Sequence, residues 1–374
     1  MLICFDARMS RAWHAGTGRL TVALLDELCQ LGGDHEYLVL LHPAAPPIPL
    51  ARPDLVRAET SSLAPVSVAQ YAAFAKWARE RRVDLVFHPH QLSMPWSSGA
   101  RSIGMILDLL PLLFPDQFTR LQVLYYRWVV AMTAGRRDQL LAISESGRAD
   151  IVRLLKIPAD RIDVLPLAPA PAMRPVSKPD ALALTNRFGL HRPFVLYVGN
   201  ARPHKNVPAL IDAFARAELV ATHDLVVVGA EDSRERERDY SVIRSKVESA
   251  GLTDAVRFVG GVTDEELAGL CRLAAALALV SLYEGFGLPA LEAMACGTPV
   301  VCSDLGALPE VAAGSAILVD PSSIESIAQG LRRVVADPAH TMRLREAGLA
   351  RAAGFSWRKS ATMLLDVFER TARA

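Results

Sequence analysis

Two doubly wound α/β domains are the fold that this sequence predicts, and three observations predict it. Short, continuous apolar runs alternate with longer amphipathic ones along the chain. Continuous apolar strands separated by helices indicate a parallel sheet covered on both faces. The rhythm stops at a proline-rich stretch, PLAPAPAMRPVSKP (166–179), and then restarts. Finally, a chain of 374 residues is long for one core.

In the first half, LICF (2–5) reads as a strand and Thr17 to Leu31 as the helix after it. EYLVLL, VDLVFH and SIGMIL continue the strand series, and DQLLAIS (138–144) follows a long helical segment from Gln117 to Arg136. Pro166, Pro169, Pro171, Pro175 and Pro179 exclude helix and central strand, so that stretch reads as a linker. Beyond it FVLYVGN, DLVVVGA, VRFVGG, LALVS, TPVVCS and AILVD read as strands with helices between them. The end of the chain, FSWRKSATMLLDVFERTARA, reads as a helix with an apolar face at Ala361, Leu364, Leu365 and Phe368. The expected divisions are 1–170, a linker at 171–187, a second domain at 188–355 and a closing helix at 356–374. Ligands of such domains bind in the cleft at the carboxyl ends of the strands.

Composition excludes several classes. A net charge of +1 gives no global basic field of the kind nucleic-acid binders carry. The five cysteines are scattered, and none forms a Cys-x-x-Cys. A zinc or disulfide framework is therefore not expected, and a reducing cytosol is the default. The opening MLICFDARMS, a short apolar run followed by charge, is too short for a signal sequence. No run reaches the ~18 apolar residues of a membrane span.

The chemistry-bearing stretch is SLYEGFGLPALEAMACGTPVV (281–301), where Glu284 and Glu292 flank a glycine-rich bend in apolar surroundings. A buried carboxylate is costly unless paired or hydrogen-bonded. Gly285 and Gly287 permit a tight turn and close backbone approach, and Pro289 suits the first turn of a helix. Amides from Phe286 to Ala290 are then expected at a helix N-terminus, which attracts phosphate. A carboxylate at Glu292 suits vicinal hydroxyls such as those of a ribose, and one at Glu284 suits a sugar. An ordinary strand–loop–helix accounts for the spacing equally well. A second element, LYVGNARPHKN (196–206), places Arg202, His204 and Lys205 after a strand, where cations neutralise a diphosphate. Alone, that loop reads as solvated basic surface. A third, HAGTGRLT (14–21), has Gly16 and Gly18 at the first βα turn, with Thr21 where a dinucleotide fingerprint has its last glycine. A lone Gly-x-Gly is weak.

These residues resemble glycosyltransferase family 4, the retaining enzymes of the GT-B fold, through the Glu-x7-Glu block at 284–292. The likeness extends to GTGRLT, LDLLPLLFPDQFTRLQVLYYRW, AISESGRADIVRLLKIPADRIDVLP, YVGNARPHKN, VRFVGGVTDEELAGL and FSW, and so runs essentially the full length. It is similar above all to bacterial mannosyl- and rhamnosyltransferases of polysaccharide assembly. The resemblance implies two Rossmann-like domains facing a central cleft, with the last helix crossing back to the first domain. Lys205, with Arg202 and Asn200 beside it, would bind the donor diphosphate. Glu284 would contact the transferred sugar, Gly285, Phe286, Gly287 and Leu288 the sugar or phosphate, and Glu292 the ribose. Backbone from Val259 to Val262 would meet the base, and Gly16 and Gly18 would lie under the diphosphate. Glu284, Lys205 and Asp108 are the expected catalytic residues.

The family's usual His-Asp reads Leu107-Asp108 in this chain. Leucine offers no proton and no hydrogen bond. His14, His88 and His90 follow first-domain strands and are the candidates for compensation. The implied reaction moves a hexose, mannose from GDP-mannose being favoured, with retention by front-face attack. It needs no metal, since Lys205 and helix amides can stabilise the diphosphate, and the chain has no Asp-x-Asp motif. The implied acceptor is a saccharide or a polyprenyl-diphosphate-linked saccharide, reached from the cytoplasm. FTRLQVLYYRWVVAMTAGRR (118–137) mixes Arg120, Arg127, Arg136 and Arg137 with Tyr125, Tyr126 and Trp128, a pattern that suits an anionic membrane surface and equally a helix buried on the sheet. Two other readings stand beside this: an epimerase or phosphorylase on the same fold, and a nucleotide-sugar binder without catalysis, motivated by Leu107.

Overall fold

The computed structural model describes residues 1–10, 16–176, 181–230 and 233–373. They form two compact units, Met1–Leu167 together with the segment from Ser356, and Ala168–Phe355.

The first unit is built on a seven-stranded sheet in the order β3-β2-β1-β4-β5-β6-β7. The strands are β1 (Leu2–Ala7), β2 (Glu36–Leu41), β3 (Val56–Thr60), β4 (Leu85–His88), β5 (Arg101–Ile106), β6 (Gln139–Ala142) and β7 (Ile162–Val164), and neighbours pair in parallel. Strand order reverses between β1 and β4, which opens a crevice at their carboxyl ends. The two edge strands, β3 and β7, lie outside the sequence reading. β3 is largely exposed and β7 has three residues, so neither carries a continuous apolar run. The closing helix Trp357–Arg373 packs on this unit. Its Phe368 ring meets Phe5 and Phe87 edge-on at 6.0 and 5.7 Å, and Ser360 Oγ donates to the Pro166 carbonyl at 2.6 Å. The buried face is Ala361, Leu364, Val367 and Phe368. Leu365, expected on it, is half-buried.

Beneath the carboxyl ends of β1 and β4 lies a buried polar chain. Asp6 accepts two hydrogen bonds from Arg8, each 2.7 Å, and one from His88 Nδ1 at 3.0 Å. With that nitrogen protonated, His88 Nε2 accepts from Ser98 Oγ at 3.0 Å, and Ser98 in turn accepts from Arg137. Arg8 also donates to the Leu63 carbonyl and to Gln70. Every partner is satisfied, as burial of polar groups requires. His88 is therefore a core histidine, which removes it from the candidates for compensation. His14 lies outside the described residues. Arg137, expected on the membrane-facing surface, is only 1% exposed and belongs to this core. Burial pushes its pKa down to about 10.

Burial pushes the His88 pKa down to about 4, against the opposing pull of Asp6 and with help from the Arg137 and Arg8 charges. An unfolded histidine titrates near 6.5. The folded form thus resists the proton, and stability is complete above about pH 6.5 and lost as pH falls toward 4. The expected loss from this group is about 3 kcal/mol. All the tryptophans, Trp13, Trp77, Trp96, Trp128 and Trp357, lie outside residues 168–355, so their fluorescence reads the first unit alone. A urea midpoint followed this way should fall steadily from pH 7 to pH 4, and less steeply in His88→Asn.

The expected helix 117–136 is a composite. Arg120–Leu124 is α-helical with a Thr119–Gln122 capping box, Tyr125–Val130 is π-helical, and Ala131–Gly135 is α-helical again.

The second unit holds a six-stranded sheet in the order β10-β9-β8-β11-β12-β13, with β8 (Phe194–Val198), β9 (Asp224–Val228), β10 (Val256–Gly260), β11 (Ala276–Leu279), β12 (Val300–Ser303) and β13 (Ile317–Val319), again all parallel. Its order reverses between β8 and β11. The proline-rich segment differs from a free linker. Ala181–Phe188, which overlaps the end of the expected 171–187, is helical. Ala168, Ala170 and Met173 are buried, and Arg272 donates to the carbonyls of Ala172 and Arg174 at 2.7 and 2.8 Å.

Candidate functional site

In the second unit the sequence-named residues gather at the reversal between β8 and β11, where an open α/β sheet binds its ligands. The loop after β8 is fixed by two tyrosines: Tyr240 donates to the Gly199 carbonyl at 2.7 Å and Tyr197 to the Asn200 carbonyl at 2.5 Å. The Asn200 side chain accepts from the Arg202 amide at 3.3 Å. A short 3-10 turn, Pro203–Lys205, follows. Asn206 adopts a left-handed conformation, and its amide donates to the carbonyls of Val280 and Pro321 at 3.1 and 2.8 Å. This ties the loop to the end of β11 and aims Lys205 at the Glu284 stretch.

Lys205 Nζ stands 2.8 and 2.9 Å from the two oxygens of Glu284. Ser281 Oγ donates to Glu284 at 2.7 Å. The side chains of Lys205 and Glu284 are 17% and 9% exposed, so the pair is well shielded from water. The third expected cation is absent. His204 is buried, and that burial, then the charges of Lys205 and Arg202, push its pKa down to about 3. It is neutral at physiological pH.

The bend after Glu284 needs its glycines. Gly287, at φ +94°, caps the helix Leu288–Ala295, and a Cβ there would lie 2.5 Å from Leu308 Cδ2. A Cβ on Gly306 would lie 3.0 Å from the Glu284 carbonyl oxygen, which accepts from the Ala307 amide at 3.2 Å. The Phe286 ring turns inward and meets Phe355 edge-on at 6.0 Å. Pro289 has no N–H, and the amides of Ala290 and Leu291 turn back to the Gly287 carbonyl. Those of Phe286, Gly287 and Leu288 meet no backbone acceptor among the described residues. Such amides at a helix N-terminus favour an anion.

Glu292 sits one turn further along, only 3% exposed. Its Oε1 accepts from the Ala170 amide at 3.4 Å. The two glutamates therefore have separate surroundings: Glu284 is held by a lysine and a serine, and Glu292 lies against the segment that enters this unit. Val259 and Val262 lie on and just after β10, where the strand register shifts between Phe258 and Gly260.

In the first unit Gly16 opens the helix Gly16–Leu31 at φ +54°, exposed, with Gly18 buried in the same turn. Leu107 and Asp108 follow β5. Their backbone is held by a residue that the sequence reading passes over, Gln91. Its Oε1 accepts from the Leu107 amide at 3.2 Å, and its Nε2 donates to the Asp108 carbonyl at 3.1 Å and to Tyr126 Oη at 3.3 Å. Burial, then the Asp108 charge, push the Tyr126 pKa up to about 12. His90 begins the turn that carries Gln91, and its Nδ1 accepts from the Leu92 amide at 3.0 Å. Burial pushes its pKa down to about 4. In the second unit Asn206 and Gly306 make their contacts across long sequence separations, as Gln91 does in the first, whereas Ser281 reaches Glu284 from three positions away. The local signals were Asn206, at the end of the quoted basic loop, and Ser281, at the start of the quoted Glu284 stretch.

Among the described residues, no group of three or more His, Cys, Asp or Glu side chains is placed to hold a metal ion, and no helix is long and apolar enough to cross a membrane.

Comparison with known proteins places this arrangement. The profile "Glycosyl transferases group 1" matches residues 185–351, and "Glycosyltransferase Family 4" matches 14–168. The chain is 29% identical over 296 residues to the O-antigen chain mannosyltransferase B of Escherichia coli, covering 78% of this chain and 76% of that one. It is 26% identical over 411 residues to the serotype-specific mannosyltransferase WbdA of Escherichia coli, covering 99% of this chain and 48% of that longer protein. The sucrose-phosphate synthase of Thermosynechococcus elongatus superposes with a TM-score of 0.80 at 21% identity, over 99% of this chain and 98% of that one. Anabaena HepE, solved with UDP and glucose, does so at 0.80 and 19%, over 99% and 100%. The two profiles, the two parallel sheets and the placement of the Glu-x7-Glu stretch agree: the chain belongs to glycosyltransferase family 4 and has the GT-B fold.

Proposed function

We propose that this glycosyltransferase moves a mannosyl group from GDP-mannose to a saccharide acceptor in bacterial cell-surface polysaccharide assembly, with anomeric configuration retained. The observation that carries the reading is the shielded Lys205–Glu284 pair beside the amides of Phe286, Gly287 and Leu288. It offers one cation and a row of donors to a diphosphate, and a carboxylate to a sugar. Mannose and polysaccharide assembly are supported by the mannosyltransferase names of the bacterial relatives.

Lys205, with Arg202 and Asn200, takes the donor diphosphate, and Gly16 and Gly18 let it approach the first unit's backbone. Glu284 and the Gly285–Leu288 backbone orient the hexose. Glu292 accepts the ribose hydroxyls, and Val259 to Val262 meet the base. Lys205 and the amides stabilise charge as the diphosphate departs, and the acceptor attacks from the same face while the leaving phosphate takes its proton. No divalent ion is required in this scheme. Asp108, held in place through Gln91, contributes a carboxylate near the sugar. The acceptor is a saccharide, carried on a polyprenyl diphosphate at the cytoplasmic face of the inner membrane.

A second reading follows from Leu107, whose side chain replaces an ionisable group: a nucleotide-sugar binder with little or no turnover. A transferase using a UDP- or dTDP-sugar is the other alternative, supported by the UDP and glucose in HepE. A thermal-shift series with GDP-mannose, UDP-glucose and dTDP-rhamnose separates the donors, since the true one raises the melting temperature most. Glu292→Ala should weaken donor binding by about tenfold, the loss of a charge-assisted contact of ~1.5 kcal/mol, without unfolding the second unit. Unchanged donor affinity in titration calorimetry would remove Glu292 from the ribose.

A further inference from the structure

We infer that the exposed apolar ridge along residues 120–136 of the first unit docks on an anionic lipid bilayer. Leu121, Leu124, Trp128 and Met132 are 79%, 49%, 62% and 44% exposed. Their spacing of three, four and four residues is that of one helical stripe. The opposite side of the same segment is committed to the core: Val130, Thr133 and Ala134 are buried, and Tyr126 and Ala131 pack on the cluster of Leu140, Ile151 and Ile157. The ridge is therefore a second apolar face on an element whose first face already satisfies the fold. Soluble surfaces rarely gather apolar side chains this way without a partner.

Charge selects the partner. Arg120, Arg127 and Arg136 are exposed along the ridge, and residues 118–137 contain no Asp or Glu. Arg136 stacks on Trp96, 3.8 Å from the ring centroid, and Trp96 is itself 40% exposed. A second tryptophan and a cation thus extend the ridge sideways. Tryptophan and arginine around protruding leucines suit the headgroup boundary of a membrane with negative lipids. A two-fold contact with another copy of the chain would set an acid-free, arginine-bearing face against itself, where like charges repel. No described helix can cross the bilayer, so contact is peripheral. This inference deepens the lipid-linked-acceptor reading above and rests on it for its purpose, while vesicle binding itself needs no sugar chemistry.

The test is sedimentation of the full chain with phosphatidylcholine vesicles, with and without phosphatidylglycerol, and with no acceptor present. Wild type should bind only the anionic vesicles. Leu121→Gln combined with Trp128→Gln, and separately Arg120→Gln with Arg127→Gln and Arg136→Gln, should each weaken binding by about tenfold or more. The arginine variant should also lose the salt dependence of binding. Both should turn over donor normally with a water-soluble acceptor. Absent binding by wild type, or binding indifferent to both sets of changes, overturns the inference. So does a wild-type dimer that Trp128→Gln abolishes in light scattering, because it assigns the ridge to a second copy. If vesicle binding behaves as stated while donor turnover is absent in every protein, the transfer reading fails and the docking surface stands.

Discussion

Lys205→Ala lowers kcat by about 10²–10³-fold, the range seen when a positioned stabiliser of developing charge is removed. Lys205 reaches Glu284 at 2.8 Å in a setting where the two side chains are 17% and 9% exposed, so its charge acts through little water. His204 is neutral and cannot replace that charge, and Arg202 lies on the loop before the turn. Among the described residues, the variant also leaves the Ser281 hydroxyl as the side-chain hydrogen-bond partner of Glu284, which costs about 1–3 kcal/mol of stability. Activity and stability are separated by measuring single-turnover rates at a temperature where urea titration shows the variant folded. Lys205→Arg restores the charge but brings a planar fork to a compact ammonium site, and recovers part of the rate. A folded Lys205→Ala with wild-type kcat contradicts the role given to this residue.

The second large effect is on folding. Asp6→Ala removes the only carboxylate of the buried chain Asp6–Arg8–His88–Ser98–Arg137. Arg8, 1% exposed, then keeps a charge with no ionic partner among the described residues. Breaking a buried pair in this way costs about 3–5 kcal/mol. Burial alone would raise the Asp6 pKa, but the Arg8 charge, with His88, holds it well below the usual carboxylate range. The stability it supplies is therefore present at neutral pH and lost only in strong acid. The first unit should melt roughly 10 °C lower by tryptophan fluorescence, while the far-ultraviolet signal of the second unit keeps its own transition. Asp6→Asn, which retains an acceptor, should fall between the two. An unshifted fluorescence transition in Asp6→Ala would show that the buried chain contributes nothing net.

These two predictions mark where the sequence is legible and where it is not. Parallel strands buried on both faces carry continuous apolar runs, and every central strand of both sheets is readable for that reason. β3 and β7 are not, because β3 is largely exposed and β7 has three residues, whereas the edge strands β10 and β13 keep apolar runs. Lys205 and Glu284 stand out as charges beside apolar runs, and the fold brings them to 2.8 Å although they are 79 positions apart. Asp6 and Arg8 looked like charge following a short apolar run. Nothing local says that they pair with each other inside the core, since the groups that satisfy them come from residues 63, 70 and 88. Arg137 shows the same limit. Beside Arg136 it reads as surface, yet its guanidinium donates to the carbonyls of Thr133, Pro95 and Trp96. Gln91 carries no motif and matters through the Leu107 and Asp108 backbone, 16 and 17 positions away.

The activity proposed for this chain is transfer of a hexose from a nucleotide diphosphate sugar. The most direct measurement incubates the purified chain with radiolabelled GDP-mannose and, in parallel, UDP-glucose, against a panel of saccharide and polyprenyl-diphosphate-linked acceptors, and follows both nucleotide release and label in product. Label should pass from GDP-mannose into an α-linked product seen by proton NMR, and both should be lost in Lys205→Ala. Binding of the sugar nucleotide with no turnover on any acceptor, or a product of inverted configuration, would contradict it.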